Sequence, residues 1–423
     1  MTAVVERVPV SLHEIRTRGR VRSGLALFGP AFVASVAYVD PGNFATNFAA
    51  GAQHGYLLVW VIVMANLMAI LVQYLTSKAA LATGQSLPEL CRVRFGRRAN
   101  VVLWLQAEVV AMATDLAEFV GAAVGLNLVF GMPLLPAGVV TAIAAFLILA
   151  LEQRGYRRFE LGITTLLGFV AAGLFYVFFS VGDQDYGQLA SGLVPRLDGG
   201  STLSLTVGII GATVMPHVVY LHSALQKDRV RASDVGERQT LLRFNRWDCV
   251  IGLGIAGLVN LSMLCVAAAL FHRLGLTAVS DLADIHGHLA LLIGGGAAMA
   301  FGIALMASGI SSSSVGTYAG QVVMAGFMSW RVPLLVRRLV TMVPSLVVLA
   351  LAVNPGQALI YSQIVLSFGI PFALIPLLLV TRDRRVMRDM TNRRMTTAAM
   401  TVVTAIITSL NLYLLATTLV GEL

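Results

Sequence analysis

Charge is sparse in this sequence. Asp, Glu, Lys and Arg fill 12% of 423 positions, while hydrophobic residues fill 57%. A soluble domain carries about 25% charged residues. So few charges cannot cover the water-facing surface of a chain this long, so its solvent is lipid. Cysteine is scarce as well. Cys91, Cys249 and Cys265 are scattered, odd in number and without a C-x-x-C pair, which removes both a disulfide framework and a cysteine zinc site. Catalytic signatures are missing too. There is no H-E-x-x-H, since His13-Glu14 lacks the second histidine, and no G-x-S-x-G. Neither lysine follows a glycine as a Walker loop requires. These absences argue against an intramembrane enzyme.

What is present is a series of apolar runs. They lie near 25–46, 57–77, 101–130, 134–151, 159–181, 203–225, 249–271, 289–326, 334–353, 357–380 and 396–420. A helix needs roughly 20 such residues to cross the hydrocarbon core, so the sequence predicts an all-α polytopic membrane protein with eleven spans. The third and eighth runs are long enough to tilt or protrude. Segment 1–24 reads as a cytoplasmic tail, and the run after it is too long for a cleaved signal peptide.

The basic residues test this division. With the spans as drawn, 28 of the 30 lysines and arginines fall on one side, and only Arg196 and Arg273 on the other. A missing span would scramble that asymmetry. By the positive-inside rule the N-terminus is cytoplasmic and the C-terminus outside. The same distribution accounts for the high pI without a nucleic-acid partner.

Two spans carry a proline in mid-run beside groups that bind cations: Ala37-Tyr38-Val39-Asp40-Pro41-Gly42-Asn43 in the first, and Ala212-Thr213-Val214-Met215-Pro216-His217 in the sixth. Proline has no N–H, so the carbonyl four residues earlier loses its helical partner. That carbonyl belongs to Ala37 for Pro41 and to Ala212 for Pro216. In lipid such an oxygen costs several kcal/mol unless it faces protein, water or an ion. Interrupted helices near the bilayer midplane are where secondary transporters bind substrate. Asp40 adds a carboxylate, Asn43 an amide oxygen and Met215 a thioether sulfur. Hard ions such as Mg²⁺ prefer all-oxygen shells, and a thioether favours later transition metals. One sulfur among oxygens suits Mn²⁺ or Fe²⁺, with tolerance for Cd²⁺ and Co²⁺. Asp-Pro-Gly-Asn is also an ordinary turn, but an Asp at the membrane centre costs at least about 2.5–3.5 kcal/mol, which favours function here.

These two motifs, with Ala45-Thr46-Asn47 after the first and Tyr220-Leu221-His222-Ser223 after the second, resemble the Nramp family of proton-coupled divalent-metal transporters. The resemblance runs from the first span to the eleventh. It implies a leucine-transporter-like fold in which 25–182 and 203–380 are inverted five-span repeats, with 396–420 peripheral. It also implies that Asp40, Asn43, Met215 and the carbonyls of Ala37 and Ala212 hold the metal. No cofactor is implied, because the metal is cargo and protons are its co-substrate. A monomer suffices, and nothing in the sequence sets an oligomeric state.

The third span carries Glu108, Asp115 and Glu118. At about 100° per residue the three lie on one stripe, and buried acids need partners or protons. Arg337, Arg338 and His217 are candidate partners. The resemblance implies that Asp115 takes the proton, that Glu118 lies near His217, and that the arginines lead to the cytoplasm. For Glu108, also a candidate for the proton path, a purely structural tie is at least as strong a reading. Gln363, Asn66 and Gln73 are candidates to line the metal path. His222 reads as structural or cytosol-facing, Ser311 to Ser314 as a polar run bonding neighbouring helices, and His286-Gly287-His288 as a solvated outer loop. Two rival functions remain at this stage: a proton-coupled amino-acid or amine transporter on the same fold, and a metal-selective channel.

Overall fold

The computed structural model describes residues 10–11, 28–153, 156–182, 184–227, 229–231, 234–279, 281–330, 332–351 and 354–420. Most of the expected tail therefore lies outside the described residues, as does the Arg338 side chain. The helices are α1 (Pro30–Ala37), α2 (Pro41–His54), α3 (Val59–Thr83), α4 (Leu87–Arg94), α5 (Arg97–Phe130), α6 (Leu134–Gln153), α7 (Tyr156–Val181), α8 (Tyr186–Ser191), α9 (Gly200–Thr213), α10 (Pro216–Lys227), α11 (Val235–Ala267), α12 (Leu282–Leu292), α13 (Gly295–Met328), α14 (Leu334–Ala350), α15 (Pro355–Thr381), α16 (Arg384–Met387) and α17 (Arg394–Val420). A π-helical turn, Ala268–His272, extends α11. The one departure from an all-helical chain among these residues is a two-residue parallel ladder, β1 (Val10–Ser11) with β2 (Val230–Arg231).

Eight stretches among the described residues are long and apolar enough to cross a membrane, with α9 and α10 counted together. The first apolar run, divided into α1 and α2, is not in that set, and its first residues lie outside the described ones. Within the described residues α6 and α14 contribute shorter apolar stretches, Leu134–Ile148 and Val340–Ala350. The apolar centre of the α9–α10 stretch is almost wholly buried and forms the centre of the bundle, whereas those of α7 and α17 are no more than about one-third buried and lie at its edge. Their outward side chains, such as Phe179 and Leu419, are apolar and exposed, as lipid contact requires.

The longest helices, α5 and α13, form the most extensive pairing. Glycine permits their close approach: a Cβ on Gly309 would sit 2.6 Å from the Ala122 backbone nitrogen, and one on Gly125 2.6 Å from that of Met306. Small residues at such contacts let membrane helices touch along their backbones. The seventh span begins well before the apolar run at 249, because Asp234 caps α11 by accepting from Glu237 N at 2.7 Å. Its basic first turns thus belong to the helix and not to a loop.

Candidate functional site

Both prolines interrupt their spans where the sequence places them. Pro41 opens α2 with Asp40 as N-cap, whose Oδ1 accepts from Asn43 N at 2.8 Å. The carboxylate thereby offsets the positive end of α2 that would otherwise face the break. Pro216 is likewise the first residue of α10, with Met215 before it. The start of α1 is capped from another element: Asp248 of α11 accepts from Gly29 N at 3.0 Å and from Ala31 N at 2.9 Å.

The two breaks meet. Asn43 Nδ2 donates to Asp40 Oδ1 at 2.7 Å and to the Ala212 carbonyl at 2.9 Å. Ala37, Asp40, Asn43, Ala212 and Met215 are all buried. Asp40 Oδ2 and Asn43 Oδ1 are buried without a hydrogen-bond partner among the described residues. Such atoms are expensive in a low-dielectric interior and mark a place where an ion or water belongs.

Of the carbonyls in the first break, Tyr38 O accepts from Asn260 Nδ2 at 2.8 Å and Val39 O from Ser308 Oγ at 2.6 Å. Asp40 O accepts from Phe44 N. For Ala37 O the helical donor would be the residue at 41, and Pro41 has no N–H to give. Asn260 also accepts from Asn47 Nδ2 at 3.1 Å, so it ties α2 to the break. Sequence reading missed Asn260, Ser308 and Asp248. For Asn260 and Ser308 the signal was available, since each is a polar residue within an apolar run, whereas Asp248 stands just before the run at 249.

Gln363 of α15 lies at the junction. A Cβ on Gly42 would collide with its amide, and one on Gly211 with its backbone carbonyl. Its Oε1 is a further buried oxygen without a partner among the described residues. Gln73 sits elsewhere in the network: its Nε2 donates to Tyr38 Oη at 2.6 Å, and its Oε1 pairs with His222 Nδ1 at 2.9 Å. His222 is buried, in keeping with a structural part. Asn66 packs against Gly257 of α11, and no hydrogen bond among the described residues joins it to the breaks.

On α5, Thr114 Oγ1 lies 3.2 Å from His217 Nδ1, a contact between that helix and α10. Asp115 and Glu118 are buried, and the Glu118 carboxylate fills the space over Gly316 of α13. Arg337 is bound to Glu108, Nη2 to Oε2 at 2.9 Å, and its guanidinium lies against Gly320 of α13. Trp104 Nε1 completes that cluster, donating to Glu108 at 3.1 Å. The arginine thus reaches Glu108 and not Asp115. In the serine run, Ser311 and Ser312 bond back to their own helix, while Ser314 also reaches the Ala145 carbonyl of α6 at 3.3 Å. His286 and His288 stand on helix α12 rather than in a loop.

A profile of the family described as "Natural resistance-associated macrophage protein-like" (Nramp) matches residues 31–417. The chain belongs to the Nramp family. A divalent metal cation transporter, MntH, of Deinococcus radiodurans is 47% identical over 395 residues, covering 93% of this chain and 90% of the relative. The protein of the same name from Bacillus subtilis is 46% identical over 398 residues, covering 94% and 93%. A crystal structure of a point mutant of the Eremococcus coleocola manganese transporter superposes on this Nramp chain with a TM-score of 0.86 at 31% identity, covering 98% and 90%. Mhp1, a nucleobase-cation-symport-1 family transporter in a closed conformation, gives 0.59 at 14% identity over 97% and 94%, a likeness of fold alone. The Nramp chain therefore has the leucine-transporter-like fold, with discontinuous helices at the first and sixth spans, and it is a multi-pass membrane transporter rather than an enzyme.

Proposed function

We propose that this chain imports divalent transition metals, Mn²⁺ or Fe²⁺ with Cd²⁺ and Co²⁺ also accepted, by proton-coupled alternating access. The reading rests chiefly on one observation: Asn43 bridges Asp40 and the Ala212 carbonyl, while Asp40 Oδ2 and Asn43 Oδ1 stay buried and unsatisfied. An entering ion takes these oxygens, the carbonyls of Ala37 and Ala212, and the Met215 sulfur. The Asn43 side chain turns its oxygen to the ion, since amide N and O are interchangeable by rotation. Ala212 O then exchanges an amide proton for the cation. The names of the relatives, divalent metal cation transporters and a manganese transporter, support the same substrate class.

Burial of all five ligand residues fits an occluded step of alternating access better than a continuous pore. In this reading eleven spans are crossed, the N-terminus and the arginine-rich face are cytoplasmic, and the proton follows α5 through Asp115, with His217 and Glu118 beside it and Arg337 and Arg338 toward the cytoplasm. The eleven-span count takes α6, α14 and the α1–α2 pair as crossing segments. A single copy carries the whole path.

The experiment is Mn²⁺ uptake into proteoliposomes that hold a pH-sensitive dye. Uphill accumulation driven by an inward proton gradient, together with acidification of the lumen, is expected. Uptake that never exceeds equilibrium under that gradient would assign a channel. Thermal stabilisation by amino acids but not by Mn²⁺ would assign the amine-transport alternative.

A further inference from the structure

On the arginine-rich face of the bundle, away from the breaks, a cavity of ≈ 840 Å³ opens between α3, α11 and the segment that leads into α17. Its polar rim carries four cations, Lys78, Arg238, Arg246 and Arg393, against one carboxylate, Asp389. That carboxylate is taken by Arg238, Nη1 to Oδ1 at 3.2 Å. Lys78 is buried and donates to Asn392 Oδ1 at 2.8 Å. Among the described residues no carboxylate pairs with Lys78, Arg246 or Arg393. Three positive charges on one rim, without counter-charge from the described residues, call for an anion.

The wall next to this rim is apolar. Leu67 and Leu71 of α3 and Val250 of α11 line it, and Leu67 and Val250 are exposed on the lipid-facing surface. From Lys78 to Leu67 is roughly 16 Å along the helix, at a rise of about 1.5 Å per residue, so the wall descends from the headgroup level into the hydrocarbon. A free phosphate satisfies only the rim. A zwitterionic lipid brings a cation of its own to a place already rich in them. An anionic phospholipid satisfies both rim and wall, and basic pockets between membrane helices are where such headgroups bind.

We propose that this cavity binds an anionic phospholipid, with its phosphate held by Lys78, Arg246 and Arg393 and an acyl chain laid along Leu67, Leu71 and Val250. The bound lipid joins α3, which carries Gln73 beneath the first break, to α11 and to the entry of α17. The site is independent of what the transporter carries.

Native mass spectrometry of the full detergent-solubilised chain tests it, with phosphatidylglycerol, phosphatidylcholine of matched acyl chains, and inorganic phosphate offered separately. Phosphatidylglycerol is expected to bind at least roughly tenfold more tightly than phosphatidylcholine, given the strength of basic clusters at anionic headgroups. Arg246 and Arg393 are exposed, so the Arg246→Gln and Arg393→Gln variants should fold, and each should reduce the preference, with the double variant abolishing it. Arg196→Gln, on the opposite face, should leave it intact. Equal retention of the two lipids overturns the proposal, as does an unchanged preference in the double variant. Binding of inorganic phosphate as tight as that of phosphatidylglycerol also overturns it, since the rim would then be a soluble-anion site.

Discussion

Asn43 and Ala212 stand 169 residues apart in the chain, and the side-chain amide of the first donates to the carbonyl of the second at 2.9 Å. One hydrogen bond thus joins the interruptions of two spans that would otherwise be related only through the bundle. It also sets the order of tests for the site, because the residues on each side of it have separable parts.

Asp40 supplies the only carboxylate among the proposed ligands, and contacts to charged groups are worth about 1.5–3 kcal/mol. Asp40→Ala is therefore expected to lower Mn²⁺ uptake at subsaturating metal by roughly 10- to 100-fold. Asp40→Asn keeps the acceptor for Asn43 N, so it should fold like the parent and still fail to transport. Radiotracer uptake beside a melting curve separates the two effects, and near-parental uptake in Asp40→Ala would remove the carboxylate from the ligand set.

In the proposed ligand set, Met215 governs selectivity more than turnover. Met215→Ala should keep part of the Mn²⁺ uptake while admitting Mg²⁺ or Ca²⁺, because the remaining donors are all oxygen and hard ions prefer them. Competition of Mg²⁺ and Ca²⁺ against labelled Mn²⁺ measures it. Unchanged competition would eliminate the role of the sulfur.

Two acids on α5 should behave differently. Glu108 holds Arg337 at 2.9 Å, so Glu108→Gln leaves a buried guanidinium without its charge partner. Breaking such a pair costs about 3–5 kcal/mol, and thermal unfolding should show the loss. Asp115 makes no such ion pair among the described residues. Asp115→Asn should retain stability while metal entry no longer acidifies the liposome lumen. Intact metal-driven acidification in that variant would place the proton elsewhere.

Gly309 and Gly254 make a paired test of helix packing. A Cβ on Gly309 would stand 2.6 Å from the Ala122 backbone, whereas one on Gly254 meets nothing within 4 Å. Gly309→Ala is expected to destabilise by about 1–3 kcal/mol through overpacking. Gly254→Ala should be neutral or gain a few tenths, up to ~1 kcal/mol, from helix propensity. Similar melting temperatures for the two variants would mean that α5 and α13 can separate at little cost.

The breaks were legible in the sequence because proline acts locally: a missing N–H frees a particular carbonyl whatever surrounds it. Asp40-Pro41 also follows the usual chemistry of a helix start, a capping carboxylate before proline at the first helical position, so the turn-like and functional readings describe the same bond. The partners of the other carbonyls were not legible. Asn260 and Ser308 are remote in sequence, and only the packing of α11 and α13 brings them to Tyr38 and Val39. The same holds on α5, where spacing put three acids on one stripe but could not say that Arg337 reaches Glu108. Helix ends were also displaced, most of all in α11, because hydropathy records where lipid contact begins rather than where the helix does.

On the proposed ligand set, the Ser308 hydroxyl has a consequence for ion choice. It donates to Val39 O while Asn260 donates to Tyr38 O, so these two neighbouring backbone oxygens are both engaged and do not turn together toward a cation. Calcium, which collects six to eight oxygens in a loose shell, is thereby denied an additional seat. If Asp40, Asn43 and Met215 hold the ion as proposed, discrimination against large hard ions then resides partly in a serine that is not among the ligands.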